Sequence, residues 1–405
     1  MKVSDVMSSF STELPVSQSA PPRLRLEFLD GLRGLTALYV VLFHAYQMAT
    51  FDDPRVDAAL VWRIGHPAVS VFIVLSGFCL MLPVVRSSRQ ELRGGALEFL
   101  KRRARRILPP YYAALAISAV FLAAAHLAKY RQWPAFQSGD WADPVLARHL
   151  SAGSLLSHAA LVHNVSPAWF ETIDVPMWSV ATEWQIYFFL PALLLPVWRR
   201  YGIAALLAAG FIIGLMPHYL LPAAANFDWA CPWYLGLFAT GMAGAVLAFT
   251  PCSALRTRRL PWGMIAGGLF VLLGALVLVP DRVIGNYVWQ TDALTGAAAI
   301  CLILHGSIQA TSQQVSRSFA VHMLESRPAL WLGAFSYSLY LVHYPLLNKC
   351  ALFFASRPMP FFSRVVLMYA IGLPLALGLS YLFHLVFEKR FTAGGPAQIP
   401  EVVLK

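Results

Sequence analysis

Apolar residues run in long blocks along this chain instead of alternating with polar ones. The blocks have the length a helix needs to cross a hydrocarbon layer, about 20 residues. Ten stretches fit: 30–49, 67–85, 107–127, 177–196, 202–221, 231–249, 262–280, 290–308, 329–348 and 364–387. The pattern predicts an all-α polytopic membrane protein of about ten transmembrane helices. The third stretch opens on Pro109 and Pro110, where a first helical turn tolerates proline. The fourth is the weakest, because it holds Glu183 and two prolines. Gly263 with Gly267, and Gly241 with Gly244, suit close helix packing. Residues 1–27 are rich in Ser and Pro and lack an apolar core, so they read as a disordered cytosolic tail and not as a cleavable signal peptide. Residues 28–390 form the transmembrane domain, and 391–405 a short cytosolic tail.

Composition narrows the class. Of 405 residues, 58% are hydrophobic and 13% charged, against about 25% charged in soluble domains. So few charges cannot cover a water-facing surface, which excludes a soluble enzyme, a disordered chain and a disulfide scaffold. The formal charge of +11 would point to nucleic acid in a soluble chain. Here its distribution matters more. With the N-terminus inside, 21 of the 31 Lys and Arg fall in cytosolic segments and 9 outside. Both termini are then cytosolic, the basic excess is membrane anchoring, and nucleic acid is not a partner. The outer connection 128–176 stands apart for its length and its Trp133, Trp141 and Trp169. It reads either as a lid or binding segment or as an interfacial helix. Asn164-Val165-Ser166 fits a glycosylation sequon, relevant only in a eukaryotic secretory pathway.

Ionisable groups inside spans cost about 2.5–3.5 kcal/mol each, so each raises a functional question. In the first span Arg33 and His44 are eleven positions apart, three turns plus about 20°, so they share a face about 16 Å apart along the axis. Arg33 is either a helix-end residue neutralised by Asp30 or a functional cation. His44 either reaches the outer headgroups or works in the bundle. In the fourth span Ser179 and Glu183 share a face. In the ninth, Ser336, Tyr340 and His343 follow the i, i+4, i+7 pattern. Depth along each helix puts His44, Glu183 and His343 at similar heights. An imidazole beside a buried carboxylate is suited to general-base work, and a polar cluster gluing helices is the alternative. Arg103 and Arg106, three apart where the third span begins, would share a helical face able to clamp phosphate groups. The five cysteines and the remaining histidines show no metal-binding spacing.

Taken in order, these segments resemble the acyltransferase 3 family of integral membrane O-acyltransferases. Leu29 to His44 is similar to the family's opening, and Val71-Phe72-Ile73-Val74-Leu75-Ser76-Gly77-Phe78 to its second-helix motif. Arg103 to Arg106 looks like its Arg-x-x-Arg motif. Trp178-Ser179 with Glu183 and Tyr187, and Ser336 to His343, resemble its later signatures. Thr182 stands beside Glu183 where the family often has two adjacent acids. The resemblance implies transfer of an acyl group, most commonly acetyl, from cytosolic acyl-CoA to a hydroxyl, in a bacterial inner membrane. The acceptor would be a carbohydrate, a lipid-linked glycan or a glycosylated small molecule. No extra hydrolase-like domain follows the last span, so a standalone form is expected.

On this reading Arg103 and Arg106, with Arg33, hold the acetyl-CoA phosphates, and the donor's arm runs along the first helix. His44 removes the acceptor proton and Glu183 orients the imidazole. His343 or Ser336 donates to the oxyanion, while Ser179 and Tyr340 join Ser336 in binding substrate. No metal is required. The rival is a proton-coupled secondary transporter or flippase built on the same buried charges, against which stand the lack of a convincing internal repeat and the one-sided basic cluster.

Overall fold

A computed structural model describes residues 26–50, 56, 65–130, 150–222, 225–250, 259–279, 288–312, 316–357 and 359–392. The two tails as expected, and Trp133 and Trp141 of the long connection, lie outside these residues, apart from the last tail residue or two at each inner boundary. The described residues form helices and no strand: α1 (Glu27–Thr50), α2 (Pro67–Val85), α3 (Gly95–Tyr130), α4 (Ala152–Ala159), α5 (Met177–Phe189), α6 (Leu195–Leu220), α7 (Tyr234–Phe249), α8 (Trp262–Val277), α9 (Val288–Thr311), α10 (Phe319–Leu324), α11 (Arg327–Ala334), α12 (Ser336–Ala355), α13 (Phe361–Leu367), α14 (Leu373–Phe383) and α15 (Lys389–Thr392).

Among the described residues, seven helical stretches are long and apolar enough to cross a membrane. The difference from ten has local causes. The expected fourth and fifth spans run together as Met177–Leu220, although the backbone leaves helical geometry at Gly202 (φ 81°, ψ −168°), a conformation only glycine adopts freely. The expected seventh is the shorter Trp262–Leu276. The expected ninth is broken at Phe335, where α11 stops and α12 begins, and α12 carries Tyr337, Tyr340, His343, Asn348 and Lys349 in its length. The third begins earlier than its apolar run, at Gly95, so the basic cluster lies on the helix itself.

Buried α2 and α7 form the centre, while Met177–Leu220 and the last helices turn much of their surface outward. That outward surface is apolar, as lipid requires: Ile212, Val271 and Phe362 are all exposed. α2 and α7 touch backbone to backbone, since a Cβ on Gly77 would run into the Phe238 carbonyl and one on Gly241 into the Val74 carbonyl. Such contact lets dispersion act between apolar helices that water does not push together. Two prolines shape the rest. Pro191 lacks the N–H that would close a turn on Tyr187, and Leu190–Leu194 widens into a π-turn. A second π-turn, Met368–Gly372, precedes Pro374.

Candidate active site

The site is organised by two imidazoles from opposite ends of the chain. His44 on α1 and His343 on α12 meet with Nδ1 of His44 2.9 Å from Nε2 of His343. His343 is wholly buried, and its Nδ1 lies 2.9 Å from the Leu339 carbonyl one turn back. A carbonyl only accepts, so that Nδ1 carries the proton and the His343 Nε2 is an acceptor. The His44 Nδ1–H therefore donates to His343. The bonding pattern assigns the His44 proton to Nδ1 and leaves its Nε2 lone pair free. His44 is half-buried, with the Tyr344 ring against its edge at 5.2 Å. An imidazole held in one tautomer, with the lone pair of its other nitrogen free, is arranged to accept a proton.

Next to this pair lies a hydroxyl pair. Ser179 Oγ and Tyr340 OH are 2.5 Å apart, and each also reaches the Pro176 carbonyl at 3.2 Å. The Tyr340 ring is 6.0 Å from that of His343. Ser336 is not in this group. It is the first residue of α12, and its hydroxyl donates to the Gly333 carbonyl at 3.0 Å. Seven residues of helix, about 10 Å, separate it from His343, and its hydroxyl is engaged at the α11–α12 junction.

Glu183 departs from its expected place. It is not bonded to either imidazole; its carboxylate accepts from Tyr187 OH at 2.6 Å, and that hydroxyl is also 3.3 Å from Ser76 Oγ on α2. The expected carboxylate–imidazole pairing is not made because Glu183 turns towards Tyr187 and the basic side of the bundle. Its charge acts on Arg33, on Arg103 and on Tyr340. Arg33 Nη1 bonds Asp30 at 3.0 Å, the local pairing that the spacing allowed, and Cys79 lies against it. Arg103 and Arg106 share a face of α3 as the helix requires. Arg103 is half-buried with its Nε unpaired, whereas Arg106 is exposed. Arg33, Arg103, Glu183, Tyr340 and the imidazole pair thus form a series of polar groups through an otherwise apolar bundle.

The described part of the long connection packs down on this bundle. Ser151 caps α4 by accepting from Ser154 N at 3.0 Å. Tyr111 and Tyr112 on α3 donate to the carbonyls of His158 and Ala159 at 2.9 and 2.8 Å. Asn164 is wholly buried and donates to Thr182 and Gln185 at 3.0 and 3.2 Å, so in the folded protein the sequon is inaccessible. His158 and His163 stack at 3.7 Å. Burial holds both neutral, lowering the first to about 4 and the second to about 3. Burial also raises the Asp174 carboxyl to about 8.

The sequence did not single out one further cluster. His66, just before α2, Cys231, just before α7, and Asp292 on α9 come together, with His66 Nε2 3.1 Å from Asp292 Oδ2 and 3.9 Å from Cys231 Sγ. Asp292 is the only one of the three with a signal in the sequence, being an acid inside an apolar run.

Comparison with known proteins places this geometry. The acyltransferase 3 model, described as an acyltransferase domain, matches residues 26–385. The acyltransferase MdmB of Streptomyces mycarofaciens is 29% identical over 346 residues, covering 81% of both chains. The peptidoglycan O-acetyltransferase OatA of Listeria monocytogenes is 22% identical over 79% of this chain and 49% of its own length. The O-acetyltransferase OatA of Staphylococcus aureus is 22% identical over 90% of this chain and 58% of its own. No solved structure matches. The family match extends over the helices that carry His44, Arg103, Glu183 and His343, and the chain belongs to the acyltransferase 3 family as an integral membrane O-acyltransferase.

Proposed function

We propose that this protein transfers an acyl group, acetyl in the first instance, from cytosolic acyl-CoA to a hydroxyl of a carbohydrate or glycosylated acceptor at the outer side of a bacterial inner membrane. In this reading both termini are cytosolic and about ten helices cross. The observation that carries it is the His44–His343 pair: a free Nε2 on a tautomerically fixed imidazole, eleven residues along α1 from Arg33.

Cations at one end and a base at the other match the shape of acyl-CoA, a polyanion with its reactive carbon at the tip of a long arm. Arg103, whose buried Nε is unpaired, takes the donor phosphates with Arg33, and Arg106 contributes from the surface. His44 Nε2 removes the acceptor hydroxyl's proton as its oxygen attacks the thioester carbonyl, and CoA thiolate leaves with that proton. Ser179 and Tyr340, a hydroxyl pair beside His343, bind the acceptor or stabilise the oxyanion. His343 is a positioning residue. Glu183 balances the arginines and fixes Tyr187. The carbohydrate acceptor draws support from the relatives named as peptidoglycan and other O-acetyltransferases.

The test uses membranes from cells with and without the protein, given acetyl-CoA labelled in the acetyl group and a panel of carbohydrate and glycosylated acceptors. Label on an acceptor, lost in His44→Ala while the protein is still made, is the expected result. Solute movement without covalent change would overturn the proposal in favour of a transporter.

A further inference from the structure

We propose that His66, Cys231 and Asp292 form a binding site for one divalent cation of the zinc class at the outer ends of α2, α7 and α9. The three donor atoms, Nε2, Sγ and a carboxylate oxygen, all lie within 4.8 Å of one another. A tetrahedral Zn²⁺ shell with the usual bond lengths sets its nitrogen and oxygen about 3.3 Å apart and its nitrogen and sulfur about 3.6 Å apart. The separations here are 3.1 and 3.9 Å, so small side-chain rotations seat the ion.

Charge favours the same assignment. Asp292 is wholly buried and Cys231 nearly so, and a buried charge persists where it is paired or holds a metal. One thiolate, one carboxylate and a neutral imidazole neutralise a dication. The donor set is one for a borderline-soft ion, since a thiolate does not suit Mg²⁺ or Ca²⁺. An outer layer that fixes the ligands is in place as well. Ser70 donates to the other Asp292 oxygen at 2.6 Å, and Trp233 Nε1 donates to Oδ2 at 2.8 Å. The His66 ring lies parallel to that of Trp178, within 4°. Tyr234 OH, 3.5 Å from the same Nε2, stands where a fourth ligand or its water would be. Cys231 holds a left-handed backbone (φ 50°) that a residue with a Cβ seldom adopts.

The consequence is mechanical. Trp178 leads directly into Ser179, so the ion clamps three helices and the wall that carries the Ser179–Tyr340 pair. The inference does not rest on acyl transfer, and its test needs no acyl donor. Full-length protein in detergent is stripped of metal and titrated with Co²⁺, whose tetrahedral thiolate complexes absorb in the near ultraviolet and visible. The expected result is one Co²⁺ per chain with a thiolate-to-cobalt band. Cys231→Ser should abolish that band, Asp292→Asn should weaken binding at least tenfold, and Zn²⁺ should displace the cobalt and raise the thermal midpoint. Titration of the unmutated protein stands even if a variant misfolds. Wild-type protein that binds no Co²⁺, or a band that survives in folded Cys231→Ser, would overturn the site.

Discussion

Replacing His343 with leucine keeps an apolar side chain of comparable bulk on α12 and removes the acceptor for the His44 Nδ1–H. That bond spans 2.9 Å at a wholly buried partner, and a net intramolecular hydrogen bond is worth about 0.5–1.5 kcal/mol. At about 1.4 kcal/mol per decade, kcat should fall roughly 2- to 12-fold while KM for acyl-CoA stays unchanged. Glutamine places an amide oxygen close to where Nε2 of the imidazole lies, so His343→Gln should recover most of the loss. His44→Ala, which removes the base itself, should cost about 10²–10⁴-fold. The assay is label transfer from acetyl-CoA by purified protein in proteoliposomes at saturating donor. Wild-type kcat in His343→Leu, or a glutamine variant as slow as the leucine one, would refute the positioning role of His343.

Arg103→Ala should raise the apparent KM for acyl-CoA about tenfold or more, as loss of a partly buried charge-assisted contact does, and exposed Arg106→Ala should do so by much less; equal effects would return both to anchoring. Lowering pH should loosen the segment 150–176, because His158 and His163 are neutral when docked and protonated when free. Their stabilisation is complete above about pH 6.5 and is lost as pH falls towards 4 and 3, on the order of 3 kcal/mol for His158 and 5 kcal/mol for His163. Hydrogen exchange over 152–165 reads this, and His163→Phe should reduce it. Asp174 has the opposite sign, since its raised carboxyl favours the protonated form; docking weakens as pH rises from about 4 to 8, and Asp174→Asn should abolish that slope. Gly241→Ala drives a methyl into the Val74 carbonyl and should lower the thermal midpoint by several degrees or prevent folding, whereas Gly267→Ala, with open space around its Cβ position, should not.

The amino-acid sequence by itself determined the solvent this protein folds in and most of its helices. Hydrophobic length and charge scarcity are one-dimensional properties, and they need no knowledge of what packs against what. One-helix geometry was equally legible: the shared face of Arg33 and His44, the Asp30–Arg33 pairing, and the alignment of Arg103 with Arg106 follow from a 3.6-residue repeat. The break near Gly202 was legible from Arg199 and Arg200 between two apolar runs, whereas the one at Phe335 was not, because it interrupts a run that stays apolar on both sides. Partnership between helices was decided only in three dimensions. His44 could have faced Glu183 or His343, and depth along each axis could not choose, since the rotation of α5 and α12 about their own axes is set by packing. That rotation turned Glu183 towards the arginines and brought in His343 from 299 positions away. It also gathered His66, Cys231 and Asp292 from three segments whose spacing carries no pattern. Local periodicity fixes which residues share a face, and only the close packing of one helix against another fixes what that face meets.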